Sequence, residues 1–174
     1  MKIFITNLGK YTEGYLIGKW VKLPVSEDKL NEVLEAIGIN EYYEEYFITD
    51  YENEIIGIGD VISEYSSVQA LNELAQRLEE LSDDETDKLG AVLEYEACRS
   101  VSEVLELLDK LDEFDLLTDV TDDEELGYYY AEEYRCIDIP EHIQPYFDYE
   151  KFGRDVRLQS CCLYTSYGFL LDNR

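Results

Sequence analysis

The sequence predicts an α+β fold in three parts, because the spacing of its apolar residues changes twice along the chain. Short β-prone runs accompany one helical pattern in the first third, a period of about 3.6 residues follows in the middle, and strands and helices mix again at the end. These changes predict an N-terminal α+β unit over residues 1–62, a central helical unit over 63–110 and a C-terminal α+β unit over 111–174.

The first part is expected to hold a small sheet and one helix. β-Branched and aromatic residues predict strands over 2–7, 15–23 and 44–52, and a long turn-rich loop joins the first two. Ser26 is suited to the N-cap of a helix, and Gly38 is typical of a helix end. We therefore expect one helix between these two residues.

Helical spacing continues through the middle part. One apolar stripe consists of Val68, Leu71, Leu74, Ala75, Leu78 and Leu81. Ser82 with Glu85, and Ser100 with Glu103, have the spacing of a capping box, in which each side chain accepts a hydrogen bond from the other residue's backbone N–H. Each pair therefore marks the start of a further helix.

The last part returns to mixed structure. Residues 114–120 predict a strand, and Thr121 is the expected N-cap of an acidic helix that runs to Arg135. The segment YEKFGRDV (149–156) predicts another helical stretch, and the residues after it predict two strands that turn near 166–168. We therefore expect a small sheet with helices here.

The chain of 174 residues has a formal net charge of −27, from 41 Asp and Glu against 14 Lys and Arg. Its 45% apolar content is sufficient for folded cores, which makes wholesale disorder untenable. Direct binding to nucleic acid is excluded because phosphates are bound by clustered Lys and Arg, and an anionic membrane is disfavoured on the same ground. Twenty-seven charges equal those on about 45 Å of B-DNA, so imitation of a polyanion is a candidate function.

The acids are interleaved with apolar residues, and two long stretches contain no base. Eleven acids and no base lie between Lys29 and Arg77, and ten acids and no base lie between Lys110 and Arg135. A disordered acidic tail would instead concentrate its charge in one block of low complexity. The charge is therefore expected on the surface of folded units.

The chain is expected to be cytoplasmic. The apolar run that follows Met1 is too short for a signal peptide, and no run approaches the roughly 18 apolar residues of a membrane span. The cysteines at 98, 136, 161 and 162 lack C-x-x-C spacing, so we expect reduced and mostly buried thiols.

The sequence predicts no catalytic residue, no metal site and no cofactor. His142 is the single histidine, and no nucleophile motif accompanies it. A zinc site would need His142 together with three cysteines that lack the usual paired spacing. Residues 119–126 lack the glycine of a calcium loop, which favours a solvated helix start. A pair of carboxylates spaced for glycoside hydrolysis is uninformative among 41 acids.

Four segments resemble the ArdA antirestriction proteins, which are carried by conjugative elements and phage-like DNA. They are NLGKYTEGYLIGKW (7–20), IGINEYYEEYFITDYE (37–52), LGYYYAEEYRCIDIP (126–140) and YFDYEKFGRD (146–155). The spacing N-L-G-K-Y-x-E-G-x-L-x-G-x-W in the first segment is the most specific. The resemblance implies an elongated three-part α+β molecule with a helical middle.

The resemblance also implies a function, that of a DNA mimic and not of an enzyme. Such a protein occupies the DNA-binding groove in the methyltransferase core of type I restriction-modification enzymes and blocks restriction, often together with modification. It also implies a homodimer formed through the C-terminal part. The near-neutral segment 151–174, with Arg154 and Arg157, is the expected subunit contact because like charges resist pairing elsewhere.

The acids expected to stand in for phosphates lie in the first and third parts. The segment Leu126–Pro140 corresponds to the family's antirestriction motif, with Glu132 and Glu133 as its acids. The full set is Glu41, Glu44, Glu45, Asp50, Glu52, Asp112, Glu113, Asp115, Asp119, Asp122, Asp123, Glu124, Glu125, Glu132 and Glu133.

Three other functions are consistent with the composition. An acidic chaperone or adaptor that shields a basic nucleic-acid-binding protein would need the charge but not the geometry of DNA. A hydrolase that uses two carboxylates would lose all activity at two positions. Halophilic adaptation would predict unfolding at low salt.

Overall fold

The computed structural model describes residues 1–55 and 57–174, which form two compact units. Unit 1 comprises Met1–Thr86 and Ala97–Asp109, and unit 2 comprises Asp87–Glu96 and Lys110–Arg174. Each unit contains one three-stranded antiparallel sheet together with helices, so the predicted α+β class is confirmed. The division into three parts at residues 62 and 110 stays a prediction.

The sheet of unit 1 has the strand order β2-β1-β3. Its strands are β1 (Lys2–Asn7), β2 (Gly18–Lys22) and β3 (Tyr46–Glu52). On one face of this sheet Ile3 and Ile5 of β1 are buried beside Val21 of β2, because alternate residues of a strand point to the same side. The three predicted strands are therefore confirmed, the second and third being shorter than predicted.

The segment between β1 and β2 contains a short helix, α1 (Leu8–Thr12), where we predicted a loop. The Asn7 side chain accepts a hydrogen bond from the backbone N–H of Lys10 at 2.9 Å and so caps the first turn. The prediction of a loop was wrong because five residues are too few for an apolar period to reveal a helix.

Four further helices follow in chain order. They are α2 (Glu27–Ala36), α3 (Val68–Glu79), α4 (Asp83–Tyr95) and α5 (Val101–Leu108). The Ser26 hydroxyl accepts a hydrogen bond from the N–H of Lys29 and caps α2 as predicted. Beyond its last turn, Gly38 has a φ of +82°, the left-handed conformation that glycine tolerates at a helix end.

Both predicted capping boxes mark helix starts, but only the first is complete. The Glu85 carboxylate accepts a hydrogen bond from the N–H of Ser82 at 2.8 Å, and the Ser82 hydroxyl accepts one from the N–H of Glu85 at 3.3 Å. Ser100 accepts from the N–H of Glu103, whereas the Glu103 carboxylate accepts from the N–H of Arg99 instead of Ser100. The starts of α4 and α5 are confirmed.

Unit 2 has a sheet in the order β4-β6-β5, the helices α6 and α7, and the part of α4 from Asp87 onward. Its elements are β4 (Phe114–Leu117), α6 (Asp123–Tyr128), α7 (Tyr149–Gln159), β5 (Cys162–Thr165) and β6 (Gly168–Asp172). Val120, Leu126 and Phe169 are buried and form a core cluster of this unit, and Phe114 is fully buried as well. The predicted strand over 114–120 ends three residues early, and the predicted pair of C-terminal strands is confirmed.

Two observations concern the membrane and thiol predictions. Among the described residues, every helix is too short or too polar to cross a bilayer. The four cysteines form no disulfide, and Cys136 and Cys161 are exposed while Cys98 and Cys162 are only half-buried. The expectation of mostly buried thiols was therefore wrong.

Candidate functional site

Of the fifteen predicted acids, thirteen are exposed to solvent and two are half-buried. The first five lie in unit 1 and the other ten lie in unit 2. Asp123 and Glu132 are the two half-buried members. The set therefore contains two kinds of carboxylate, which the sequence did not distinguish.

The first group of acids lies on a turn that α1 anchors. The Asn40 side chain accepts a hydrogen bond from the N–H of Tyr42 at 2.8 Å, which closes the turn. The ring of Tyr43 packs against Gly9, where an added Cβ would lie 2.4 Å from the ring, and the ammonium of Lys10 donates to the Tyr43 hydroxyl at 2.6 Å. The exposed acids beside this anchor are Glu41, Glu44 and Glu45.

A β-bulge in β3 determines which of its side chains face outward. Ile48 and Asp50 pair with consecutive residues of β1, so Thr49 is an extra residue in the ladder. Because side chains alternate between faces, the extra residue places Asp50 opposite to Ile48, which is buried. Glu52 follows on the outer face and forms an ion pair with Lys2 at 2.6 Å. Without the bulge, these two carboxylates would point toward the core.

In unit 2 the acids begin just before β4 and continue to the start of α6. Asp112 and Glu113 lie in a 3-10 turn, Asp115 lies on β4, and Asp119 lies in the loop that follows. The Asp115 carboxylate accepts a hydrogen bond from the side-chain amide of Asn173 at 2.9 Å. All four acids are exposed.

The start of α6 is capped by two acids in an incomplete capping box. The Asp122 carboxylate accepts a hydrogen bond from the N–H of Glu125 at 2.9 Å, and the Glu125 carboxylate accepts from the N–H and the hydroxyl of Thr121, both at 2.8 Å. The N-cap is therefore Asp122, and our assignment of Thr121 was one residue too early. Negative charge at this end is favourable because the first N–H groups of a helix are positively polarised. Glu124 is exposed beside them.

Asp123 is bound within the protein. The Arg157 guanidinium donates to its two carboxylate oxygens at 2.7 and 3.0 Å, and the Tyr164 hydroxyl donates at 2.9 Å. The hydrogen bonds from Arg157 hold the pKa of Asp123 below its usual range. Arg157, which we expected at a subunit contact, is thus bound inside one chain, whereas Arg154 is exposed.

Glu132 is also bound within the protein. The Tyr149 hydroxyl donates to one carboxylate oxygen at 2.6 Å, and the Gln144 amide donates to the other at 3.3 Å. The hydrogen bond that the Tyr149 hydroxyl donates to Glu132 raises the pKa of Tyr149 to about 12. The next residue, Glu133, is exposed. The two acids that the resemblance assigns to one motif therefore have different surroundings.

The acidic helix does not continue to Arg135 as an α-helix. After Tyr128 the chain forms a π-helical turn over Tyr129–Glu133, and the N–H of Tyr134 donates to the carbonyl of Tyr129, five residues earlier, at 2.8 Å. Arg135 then adopts a φ of +55°, which ends the helix in the left-handed region. A π turn has no sequence signature that we could have used.

Two glycines allow α6 and α7 to pack backbone against backbone. An added Cβ at Gly127 would lie 1.9 Å from the carbonyl oxygen of Tyr149, and one at Gly153 would lie 1.9 Å from the carbonyl oxygen of Asp123. No side chain other than hydrogen fits at either position. Our sequence analysis missed this contact, although a glycine inside each helical pattern was its visible signal.

A half-open cavity of about 590 Å³ lies beside α6. Its lining includes the carboxylates of Asp119, Asp122, Glu124, Glu125 and Glu133 and the rings of Tyr128, Tyr129 and Tyr149. Carboxylates and aromatic faces both attract cations. The arrangement is therefore chemically suited to basic side chains and unsuited to anions.

Few of these acids are neutralised by the protein's own bases. Among the fifteen, ion pairs within the described residues involve Glu52, with Lys2, and Asp123, with Arg157. Twelve of the fifteen are consequently both exposed and without an ion pair. Carboxylates in this state keep their charge available to an external cation.

Other chemistry has little support in the part of the chain that the structure describes. No group of three or more His, Cys, Asp or Glu side chains there is arranged to hold a metal ion. His142 is exposed in the loop before α7.

One comparison with known proteins gives a match. A family model described as Antirestriction protein (ArdA) matches residues 3–170, which is nearly the whole chain. No curated protein matches the chain.

Proposed function

The chain belongs to the ArdA antirestriction family, whose members inhibit restriction enzymes, and from this premise we propose that it acts as a DNA mimic. The proposed target is the methyltransferase core of a type I restriction-modification enzyme. The protein occupies its DNA-binding groove and blocks restriction, and in many cases modification as well. It acts without catalysis, in the cytoplasm of a cell that receives a mobile element.

The observation that carries this proposal is the set of twelve exposed carboxylates without an ion pair. A guanidinium binds a carboxylate and a phosphate through the same planar fork of N–H donors, so a basic groove built for DNA also suits this surface. Binding releases counterions and is steered by opposite charge, and both effects weaken as salt screens the charges. The family match supports the same target class.

We further propose that the active form is a homodimer joined through residues 151–174. This segment contains two acids and four bases, whereas the chain as a whole carries −27, so two copies meet there with little repulsion. Leu158 and Leu163 are exposed in the segment, at 69% and 39%, and supply apolar area for such a contact. Arg154 is exposed on α7, four residues before Leu158 of the same helix.

A competition assay tests the proposal. Purified protein is titrated into a type I methyltransferase bound to labelled DNA, at about 50 mM and about 200 mM salt, a range over which phosphate contacts weaken strongly. We expect stoichiometric release of DNA that becomes weaker at the higher salt. Failure to release DNA at either salt, with the protein folded, would contradict the DNA-mimic function.

A pair of triple variants separates the mimic from a general acidic adaptor. One variant changes Glu41, Glu44 and Glu45 to Gln. The control changes Glu73, Glu79 and Glu80 to Gln, which are exposed acids outside the predicted set, so both variants lose the same charge. If the protein is a DNA mimic, the first variant should displace DNA less well than the control variant, because the positions of the charges matter. Equal weakening would favour the adaptor, which needs charge without geometry.

A further inference from the structure

Building on the proposed DNA-mimic function, we propose that Asp123 and Glu132 are positioning residues. Their carboxylates fasten α6 and its π turn to α7, and they do not contact the partner. The neighbouring exposed acids, Glu124 and Glu133 among them, make that contact. The acidic surface is thus divided between residues that bind and residues that hold the binding residues in place.

The first fastening point is at the start of α6. Asp123 is the first residue of this helix, and its side chain is only 19% exposed beside Arg157, near the end of α7. Two hydrogen bonds from one guanidinium fix both the distance and the orientation of the carboxylate. The hydroxyl of Tyr164, on β5, adds a third bond from the sheet. A carboxylate held in this way has little capacity left for an external cation.

The second fastening point is at the end of the π turn. Glu132 receives hydrogen bonds from Tyr149, the first residue of α7, and from Gln144 in the loop before it. The two helices therefore run in opposite directions, since the start of each is tied near the end of the other. The π turn places Glu132 toward α7 and leaves Glu133 in solvent.

Between these two points the helices touch directly. The backbone contact of Gly127 with Gly153 lies four residues after Asp123 and five residues before Glu132. Three attachment points along one short segment prevent rotation of the helix about its own axis. The direction in which the exposed acids point is therefore fixed before the partner binds, which lowers the entropy cost of binding.

Charge and position make opposite predictions for Arg157. The variant Arg157→Gln makes the chain more negative, so a surface that acts through charge alone should bind a basic groove as well or better. If Arg157 holds the acidic helix in place, the same variant should bind worse. Lys110→Gln is the matched control, because Lys110 is an exposed base of unit 2 that lies outside the segment 151–174 and has no ion pair among the described residues.

The first experiment measures DNA displacement by these variants in the competition assay. We expect Arg157→Gln to weaken displacement by about threefold or more, the coupling typical of residues in one contact network. Lys110→Gln should leave it unchanged or stronger. Tyr149→Phe should weaken displacement, whereas Tyr146→Phe, the same change on a ring that is 84% exposed, should not. Equal displacement by Arg157→Gln and Lys110→Gln would overturn the proposal.

The second experiment separates contact from positioning through the salt dependence. We expect Glu133→Gln to reduce the slope of log affinity against log salt by part of the ~0.9 that one phosphate contact contributes. Glu132→Gln should leave the slope unchanged, since its amide oxygen still accepts the hydrogen bond from Tyr149. A slope reduced as much by Glu132→Gln as by Glu133→Gln would overturn the proposal.

Amide hydrogen exchange tests the fastening without the partner. Exchange over residues 122–134 should become faster in Arg157→Gln and Tyr149→Phe and stay unchanged in their controls. The charge-exchanged double variant, Asp123→Arg with Arg157→Asp, should restore protection and displacement toward the original values. If the unmodified protein fails to displace DNA, the proposed function fails, while hydrogen exchange still decides the fastening. Unchanged exchange in both Arg157→Gln and Tyr149→Phe would overturn the proposed fastening.

Discussion

Arg135 has the left-handed conformation that ends the π turn. A side chain opposes this conformation because its Cβ approaches the following carbonyl oxygen. We expect Arg135→Gly to have a free energy of unfolding about 1 kcal/mol higher than Arg135→Ala, measured by urea denaturation. Both variants lose the same charge and side-chain contacts, so their difference isolates the backbone. Equal stability of the two variants would show that the left-handed conformation at residue 135 is not strained.

The Asp172 carboxylate connects stability to pH. The Arg174 guanidinium holds the pKa of Asp172 at about 2, against 3.8 for the ordinary group. A carboxyl whose folded pKa is lowered stabilises the fold above its unfolded pKa, and this contribution is lost as the pH falls toward the folded value. We therefore expect Asp172→Asn to destabilise the protein by a constant amount above about pH 5, and the difference to shrink toward pH 2.

Urea unfolding of both proteins at several pH values measures this effect. The comparison variant is Asp155→Asn, which removes an exposed carboxyl of α7 and is measured in parallel. A difference between the original protein and Asp172→Asn that stayed constant down to pH 2 would mean that Arg174 does not hold the carboxylate in solution.

Single acids show the limit of prediction from sequence. Exposure of most of the set follows from residue type, because a carboxylate without a partner is not buried. The inward orientation of Asp123 and Glu132 depends on Arg157 and Tyr149, which lie 34 and 17 residues away along the chain. No local pattern indicates such a partner, so both acids were grouped with their exposed neighbours.

The direction in which the exposed acids of α6 point depends on the contact between α6 and α7. In a helix interior, alanine is normally more favourable than glycine by about 1 kcal/mol. At Gly127 or Gly153 a Cβ would lie 1.9 Å from a backbone oxygen, so the helices would have to separate. We expect Gly127→Ala and Gly153→Ala to lower the free energy of unfolding by about 2–3 kcal/mol, measured by urea denaturation.

Gln159→Ala provides the control for this pair of variants, because Gln159 is an exposed residue at the end of α7. It should change stability by less than about 0.5 kcal/mol, as is usual for surface positions. If Gly127→Ala or Gly153→Ala were as stable as the control, the helices would not be in backbone contact in solution.

At the scale of whole elements, prediction from sequence succeeded where the cause is local. The N-caps at Ser26 and Ser82 are set by side chains three residues from the groups that they bind, and the strands by alternating residues. The bulge at Thr49 and the π turn after Tyr128 were not predicted. Each inserts one residue into a regular pattern, and the insertion is favourable only because of what packs against it.

For the molecule as a whole, the proposed dimer gives the most direct prediction. Leu158→Glu places a charge on the exposed apolar residue of segment 151–174, so the fraction of dimer should fall at a given concentration. Leu16→Glu is the control, because Leu16 has a similar exposure of 66% but lies outside the segment. Sedimentation velocity measures both variants. An unchanged dimer in Leu158→Glu would place the subunit contact elsewhere.

Composition alone leads to the prediction of a basic partner, but it does not reveal how the chain divides into units. A net charge of −27 with two stretches free of bases favours a basic partner over a phosphate, whatever the fold. The arrangement of units depends on long-range contacts, and the two compact units divide the chain within α4, where its periodicity is unbroken. Periodicity therefore does not reveal that boundary.

We expect the bulge in β3 to oppose aggregation as well. β3 is an edge strand, and an edge strand is a template on which further chains can add and build fibrils. Pairing of β3 with the β3 of another molecule would bring the carboxylates of Asp50 and Glu52 close to those of the second copy. The repulsion between these carboxylates opposes the pairing of two β3 edges, so the same residues that face outward because of the bulge also keep the edge from acting as a template for fibrils.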